Sequence, residues 1–313
     1  MLLLDNKREI IKDHALTRVS VPQLDEILGW ELPVLDKGFV RVVDYMGNDE
    51  SIVQAARVSY GSGTKEARSN EGLIDYLLRH DHWTPFEMCE LKLHVKLPIF
   101  VARHWVRHRT ASINEYSARY SVLEKEFYIP ETSVLALQSA INAQGRGEAL
   151  EANKAEEAQD AIQDHSMESY SLYEWLLGGD DFEPEDWRTD SPKLARELSR
   201  MVLPTNIYTQ WYWKSNLRNV LNFVKLRSDP HAQYEIRVYA DLIASILMDW
   251  VPFAMKSFQN HHINNLNFSE RQAKMLAGML QGVPFHPESI GLKGGELKEF
   301  YEKLAILNKH AGL

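Results

Sequence analysis

The stretch Glu90-Leu-Lys-Leu-His-Val-Lys-Leu97 alternates apolar and polar side chains from Leu91 onward. Successive side chains of a β-strand point to opposite faces, so this period of two puts the apolar residues on one face and the lysines and histidine on the other. A strand with one wet face belongs in an antiparallel sheet, because parallel strands are buried on both faces. The stretch therefore predicts an antiparallel or mixed sheet at the centre of the fold.

The pattern outward from this stretch predicts a second strand and a series of helices. Residues 39–45 are rich in β-branched side chains, as strands are. Pro98 can open a helix, and Asp229 with Pro230 resembles an N-cap and first-turn proline of a later one. Apolar residues at helical spacing occur in segments 52–58, 73–78, 100–105, 194–202, 217–224, 236–250 and 297–307. The expected fold class is α+β, with the central sheet flanked by helices and a largely helical second half.

The charge balance excludes one class of function. The 313-residue chain has a net charge of −9 and a pI near 5.8. A general nucleic-acid binder would carry a basic excess, so nucleic acid is not an expected partner. The N-terminus has no apolar run of signal-peptide length, and no segment approaches the roughly twenty apolar residues of a membrane span. We therefore expect a cytoplasmic protein with no membrane partner.

One segment concentrates polar chemistry. It reads Arg107-His-Arg-Thr-Ala-Ser-Ile-Asn-Glu-Tyr-Ser-Ala-Arg-Tyr120. Arginine offers a planar fork of donors that stays charged and suits phosphate oxygens. Asn114, Glu115 and Ser117 add partners that can read a sugar or a base edge. In an acidic protein this segment indicates a local positive pocket for a small anion, although a solvated charged face would show the same spacing.

The order of residues in this segment resembles the signature of the flavin-dependent thymidylate synthases. The family pattern is Arg-His-Arg, seven residues and then Ser, and the continuation Asn-Glu-x-Ser-x-Arg-Tyr also fits. Further blocks in the family's order are 80–87, Arg200-Met-Val-Leu-Pro204 and 216–233. The resemblance covers roughly residues 40–130 and 190–260.

This resemblance implies a reaction, its cofactors and an assembly. Members of the family convert dUMP to dTMP, with 5,10-methylenetetrahydrofolate as carbon donor and NADPH as reductant through FAD. Their active sites form where the subunits of a homotetramer meet. It also implies roles for individual residues. The dUMP-binding positions would be His104, Arg107, Glu115, Tyr116, Ser117, Ala118, Arg119, Arg200 and Arg227. The FAD-binding positions would be Ser59, His82, Thr84, Glu87, Arg107, His108, Arg109, Glu115, Asn216, Leu217, Arg218 and Asn222.

The catalytic expectation concerns how C5 of uracil becomes a nucleophile. Cysteine-dependent thymidylate synthases add a thiolate to C6, but the single cysteine here, Cys89, has Glu87 and Glu90 near it in sequence. Such neighbours raise a thiol pKa, so we expect no cysteine nucleophile. A cation against the N3/O2 edge would instead raise the electron density at C5. By its match to the family, Arg227 would be this catalytic residue.

Other motifs in the sequence have weaker support. The glycines of 59–64 are too loosely spaced for a dinucleotide or phosphate loop. His104 and His108 have a metal-binding spacing, but crowding by arginines argues against a cation, and no metal site is expected. His104 replaces a common Gln and Met88 a common His of the family, which leaves local contacts in doubt. The alternative functions are a non-redox binding protein for a phosphorylated nucleotide and an RNA-binding module.

The domain organisation follows from the extent of the resemblance. We expect a single domain over 1–313, with an N-terminal extension at 1–38 and a C-terminal helical extension at 260–313. Segment 131–190 is longer than the family pattern, so we expect it to be partly an insertion. Within it, residues 178–186 are typical of a surface loop.

Overall fold

A computed structural model describes residues 18–58, 69–140, 145–178, 190–283 and 286–310. The chain forms two compact units, Met1–Phe258 and Gln259–Leu313. The strands are β1 Leu32–Val34, β2 Gly38–Met46, β3 Glu90–Pro98, β4 Ser112–Glu115, β5 Ala136–Gln138, β6 Arg146–Ala149 and β7 Tyr208–Asn216. The helices are α1 Pro22–Glu26, α2 Asp49–Val58, α3 Asn70–Arg79, α4 Ile99–Trp105, α5 Ala152–Leu177, α6 Arg196–Ser199, α7 Leu217–Arg227, α8 Tyr234–Trp250, α9 Pro252–Phe258, α10 Glu270–Leu280 and α11 Gly294–His310.

The first unit is built on a five-stranded antiparallel sheet in the order β1-β2-β3-β7-β4. The predicted strand β3 is its central strand, and its apolar residues Leu91, Leu93, Val95 and Leu97 are fully buried. The α+β class and the antiparallel sheet are therefore confirmed. The opposite face of β3, which the pattern predicts to be solvent-exposed, is only partly so, because Lys96 is buried against Glu126.

The sheet contains three strands that the sequence patterns did not predict. β7 lies beside β3 and buries Thr209, Trp211, Trp213 and Ser215 on one face. This period-two alternation was a readable strand signal. β4 lies within the polar segment and pairs with β7 although all its residues are exposed, and β1 pairs with β2 from within segment 1–38. The main-chain ladder, and not an apolar face, holds β4 in place.

Helices cover the apolar face of the sheet, and aromatic side chains there hold the C-terminal ends of α4 and α7 together. The Trp105 ring at the end of α4 stacks on Phe223 of α7, with ring centroids 4.4 Å apart. The same ring meets Trp211 and Trp213 edge-on, at 5.8 and 5.7 Å. Aromatic contacts of these geometries add about 0.5–1.5 kcal/mol each to the burial of their surface. The C-terminal ends of α4 and α7 are thus fixed to one aromatic core.

Two helix predictions were wrong in detail. α8 begins at Tyr234, because the Asp229 carboxylate accepts from the His231 main-chain N–H at 2.8 Å and closes a turn instead of capping a helix. The segment 194–202 forms only the four-residue α6 and a 3₁₀ turn, Arg200–Val202. The tighter turn changes the helical period, so Met201 is 73% exposed instead of facing a core.

Segment 131–190 contributes a long helix and a small hairpin. Tyr170 and Tyr173 of α5 pack with Leu123, Phe127 and Ile207 in a second apolar cluster. β5 and β6 pair antiparallel as a separate two-stranded sheet. Of the predicted loop at 178–186, only Gly178 lies within the described residues, where it ends α5 with a φ of +65°.

The second unit, Gln259–Leu313, has a small apolar core of its own. Met275, Leu292 and Phe300 are its buried residues. Ser269 and Gln272 form a capping box at the start of α10. Across the described ranges of both units, no helix combines the length and the apolar character needed to cross a bilayer.

Candidate functional site

The segment that follows α4, the strand β7 and the helix α7 line a cavity of about 350 Å³. Its lining residues are Arg107, His108, Arg109, Thr110, Trp213, Ser215, Asn219, Asn222, Leu226 and Arg227. The lining contains three arginines and no carboxylate. Within the described ranges, neither Arg107 nor Arg109 has an ion-pairing partner. A positive cavity in a chain of net charge −9 fits an anionic ligand.

Arg227 is held across this cavity by two acceptors. Its Nε–H donates to His108 Nε2 at 3.0 Å, and an Nη2 hydrogen is donated to the main-chain oxygen of His104 at 3.3 Å. Burial lowers the pKa of Arg227 from its usual value, but an arginine stays charged over the physiological range. Burial and then the Arg227 charge lower the pKa of His108 to about 4. Burial, Arg227 and Arg107 also lower the pKa of His104.

The residues at the start of α7 divide between helix capping, core packing and ligand access. Asn216 Oδ1 accepts from the main-chain N–H of Asn219 at 3.1 Å, and within the described residues the Asn216 amide hydrogens have no acceptor. Leu217 is fully buried, and its N–H donates to the main-chain oxygen of Cys89 at 2.8 Å. Asn222 lines the cavity with Arg227, whereas Arg218 points elsewhere.

A second group of predicted residues surrounds the 3₁₀ turn Thr84–Met88. The Arg218 guanidinium donates from Nη1 to Glu87 Oε1 at 2.5 Å. Thr84 opens the turn, and the His82 main-chain N–H donates to the Leu77 oxygen at 2.8 Å. Arg218 of α7 therefore pairs with Glu87, whereas Arg227 at the end of the same helix contacts His108.

A third group follows β4. Glu115 Oε1 accepts from Thr209 Oγ1 at 2.9 Å. Arg119 Nη2 lies 3.3 Å from Glu197 Oε2, and Arg200 Nε donates to the main-chain oxygen of Glu197 at 3.3 Å. The structure thus brings Arg119 and Arg200 together. The Tyr116 hydroxyl donates to the main-chain oxygen of Val122 at 3.1 Å, and Ser117 Oγ accepts from the main-chain N–H of Arg119 at 3.3 Å. Ala118 is buried. Ser59 lies outside the described residues.

Cys89 is fully buried and cannot meet a substrate in this conformation. Its Sγ donates to the main-chain oxygen of Asn48, with a separation of 3.6 Å. Burial, with the nearby Asp49 carboxylate second, raises the pKa of the thiol to about 12. The expected direction is right, but Glu87 and Glu90 are not its cause.

The cavity also includes residues that sequence reasoning missed. Ser215 and Trp213 belong to the unpredicted strand β7, so reading its alternation would have found them. Asn219 lies one helical turn from both Asn216 and Asn222, a spacing that marks one face of α7. His104 lies on the last turn of α4 and His108 beyond its end, so the two do not share a helical face.

Comparison with known proteins gives consistent relatives over most of the chain. Residues 41–253 match the Thy1 family, described as thymidylate synthase complementing protein. A flavin-dependent thymidylate synthase of Ruegeria pomeroyi is 53% identical over 285 residues, which are 91% of each chain. One of Anaplasma marginale is 54% identical over 290 residues, covering 93% of this chain and 94% of the relative.

Solved structures agree with this result. The crystal structure of a UMP/dUMP methylase, PolB from Streptomyces cacaoi, bound with 5-Br UMP, is similar with a TM-score of 0.63 and 29% identity. The similarity covers 74% of this chain and 97% of PolB. The chain therefore belongs to the Thy1 family, the flavin-dependent thymidylate synthases.

Proposed function

We propose that this protein is a methyltransferase that converts dUMP to dTMP, with 5,10-methylenetetrahydrofolate as carbon donor and NADPH as reductant through FAD. The observation that carries the proposal is the cavity with three arginines and no carboxylate, in a chain about half identical to flavin-dependent thymidylate synthases. When bound, FAD supplies the redox chemistry that no side chain of the cavity can supply.

The proposed catalytic residue is Arg227. Uracil C5 becomes more nucleophilic when negative charge is stabilised on the N3/O2 edge of the ring. That requires a donor which is positively charged and fixed before the reaction. Arg227 satisfies both conditions, since it is half-buried and already anchored by His108 and the His104 carbonyl. Its outward N–H groups can meet a planar edge of acceptors.

The other predicted residues form the proposed binding sites. For dUMP, Arg107, Arg119 and Arg200 would bind the phosphate and sugar, with Glu115 and Ser117 beside them. For FAD, the donors would come from the cavity and from the Thr84–Met88 turn. These residues fall into three contact groups within one chain, and we propose that such groups from neighbouring subunits of a homotetramer together complete each active site. One catalytic domain with the extensions predicted above remains our proposal for the organisation.

The preferred substrate is dUMP and not UMP. PolB is named for both nucleotides, but it is only 29% identical to this chain. The relatives at 53% and 54% identity are named thymidylate synthases. An assay that supplies dUMP and UMP in parallel tests this preference, and equal methylation of both would contradict it.

The decisive experiment is anaerobic mixing of flavin-loaded protein with NADPH, methylenetetrahydrofolate and dUMP, with dTMP measured by chromatography. We expect dTMP from the wild type and none from Arg227→Ala, with the bound flavin retained. Arg41→Ala is the matched control, because Arg41 also contacts a histidine, His94, but on the sheet outside the cavity. Turnover by Arg227→Ala would show that another residue activates the ring.

The same preparation separates this proposal from the non-redox alternative. A protein that only binds a phosphorylated nucleotide would show no flavin absorbance after loading and dialysis, and no NADPH oxidation. That result would leave nucleotide binding to the arginines intact and would remove the methyltransferase proposal.

A further inference from the structure

One contact between the two walls of the cavity fixes how Arg227 is presented. Arg227 is the last residue of α7, whereas His108 follows the end of α4. The Nε–H of Arg227 donates to His108 Nε2 at 3.0 Å. We propose that His108 is a positioning residue for Arg227, which holds the guanidinium in the orientation that meets the pyrimidine. This inference rests on the proposed function, since it assigns a role in that reaction.

The direction of this hydrogen bond determines the form of the imidazole. The Nε–H of an arginine can only donate, so His108 Nε2 must offer a lone pair. The ring is therefore neutral, with its hydrogen on Nδ1. A protonated ring would present Arg227 with a second donor and a like charge. The burial described above keeps the ring in the accepting form at neutral pH.

Packing fixes the ring as well as its proton. His108 meets Phe223 edge-to-face, with centroids 5.0 Å apart and an interplanar angle of 74°. Phe223 is fully buried and stacks on Trp105 at the end of α4. The acceptor for Arg227 is thus held by the same aromatic core that places α7 against α4.

The contact also selects which donors of Arg227 remain for a ligand. A guanidinium has five N–H groups. Within the described residues, one is donated to His108 and one, on Nη2, to the His104 carbonyl. Both hydrogens on Nη1 and the second on Nη2 remain. Of these, one hydrogen on each Nη points outward, and this pair matches two acceptors on the edge of a pyrimidine.

The charged groups around His108 oppose its protonation. The charged side chains that line the cavity are Arg107, Arg109 and Arg227. On α8, Glu235 raises the pKa of His104, but burial and the arginines outweigh it there. A protonated His108 would be repelled by the arginines on both walls of the cavity. No nearby charge in the cavity lining would therefore offset the loss of the hydrogen bond from Arg227.

The first test measures the contact without turnover. Full-length protein with ¹⁵N-labelled histidine is titrated by NMR, and His108→Gln identifies the His108 signals. We expect an unprotonated Nε2 in the wild type. In Arg227→Ala the pKa of His108 should rise while that of His94 stays the same. A protonated Nε2, or a His108 titration that ignores Arg227→Ala, would overturn the proposal.

The second test compares variants in the dTMP assay at saturating FAD and dUMP. His108→Leu removes the acceptor and should lower kcat about 10- to 100-fold, the usual effect of losing a hydrogen bond to a charged group. His108→Gln restores an acceptor and should recover kcat to within about threefold. His94→Gln is the matched control, because His94 lies at hydrogen-bonding distance from Arg41 Nη1, 3.0 Å, and should keep wild-type kcat.

The outcomes separate this inference from the function on which it rests. A kcat as low for His108→Gln as for His108→Leu, or a wild-type kcat for His108→Leu at saturating FAD with only the KM for FAD raised, would overturn the positioning role. If His108→Leu does not fold, the NMR titration and the glutamine variant decide. A wild type that makes no dTMP would instead end the proposed function, while the NMR result would still test the contact.

Discussion

Replacing Cys89 by alanine should leave dTMP formation intact, because the thiol is poorly suited to attack a substrate. With a pKa of about 12, the thiolate fraction at pH 8 is on the order of 1 in 10⁴. The side chain is also fully buried, so even this fraction has no access to a nucleotide. Cys89→Ala removes one sulfur atom and its weak bond to the Asn48 oxygen. The loss in the free energy of unfolding should be about 1 kcal/mol.

The assay is anaerobic dTMP formation with Cys89→Ala, wild type and Arg227→Ala in parallel, together with chemical denaturation of each. We expect kcat of Cys89→Ala within about twofold of the wild type, since no transition-state contact is removed. Arg227→Ala supplies the inactive reference. A folded, flavin-loaded Cys89→Ala without product would refute the reasoning and point to a conformation that exposes the thiol.

Three further predictions concern two buried carboxylates, Asp49 and Glu235. Asp49 accepts from the N–H groups of Phe253 and Ala254 at the start of α9, so Asp49→Ala should lower the free energy of unfolding by about 3 kcal/mol in urea denaturation. Burial raises the pKa of Asp49 in the fold, so the contribution of this carboxyl group to the free energy of unfolding falls as the pH rises above about 4. The stability of Asp49→Asn relative to the wild type should therefore increase over that pH range. A difference in stability that does not change with pH would contradict this. Glu235 is 3% exposed and pairs with Arg146 of β6, so Arg146→Ala should lower the free energy of unfolding by about 2 kcal/mol. An unchanged urea midpoint would show that Tyr128 and Gln233, which also donate to this carboxylate, satisfy it without the arginine.

The fold was predictable where one periodicity dominated a segment. β3 alternates strictly and α8 repeats its apolar positions at helical spacing, and both buried the expected residues. The apolar pattern did not predict β7, because its buried face contains Thr209 and Ser215 beside the tryptophans. The alternation of apolar and polar residues is therefore weaker than the alternation of buried and exposed ones. β4 carries no apolar face at all, and only the ladder with β7 reveals it.

The site was predictable as a set of residue types but not as a set of contacts. The Arg-His-Arg motif and Arg227 are separated by more than a hundred positions in the sequence. No local pattern can therefore predict the hydrogen bond from Arg227 Nε to His108 Nε2. That contact depends on the stacking of Trp105 on Phe223, which brings the ends of α4 and α7 together. Such pairing is a consequence of core packing. The aromatic core therefore acts on the proposed chemistry through one hydrogen bond, so a substitution such as Phe223→Leu should disturb Arg227 before it disturbs the sheet.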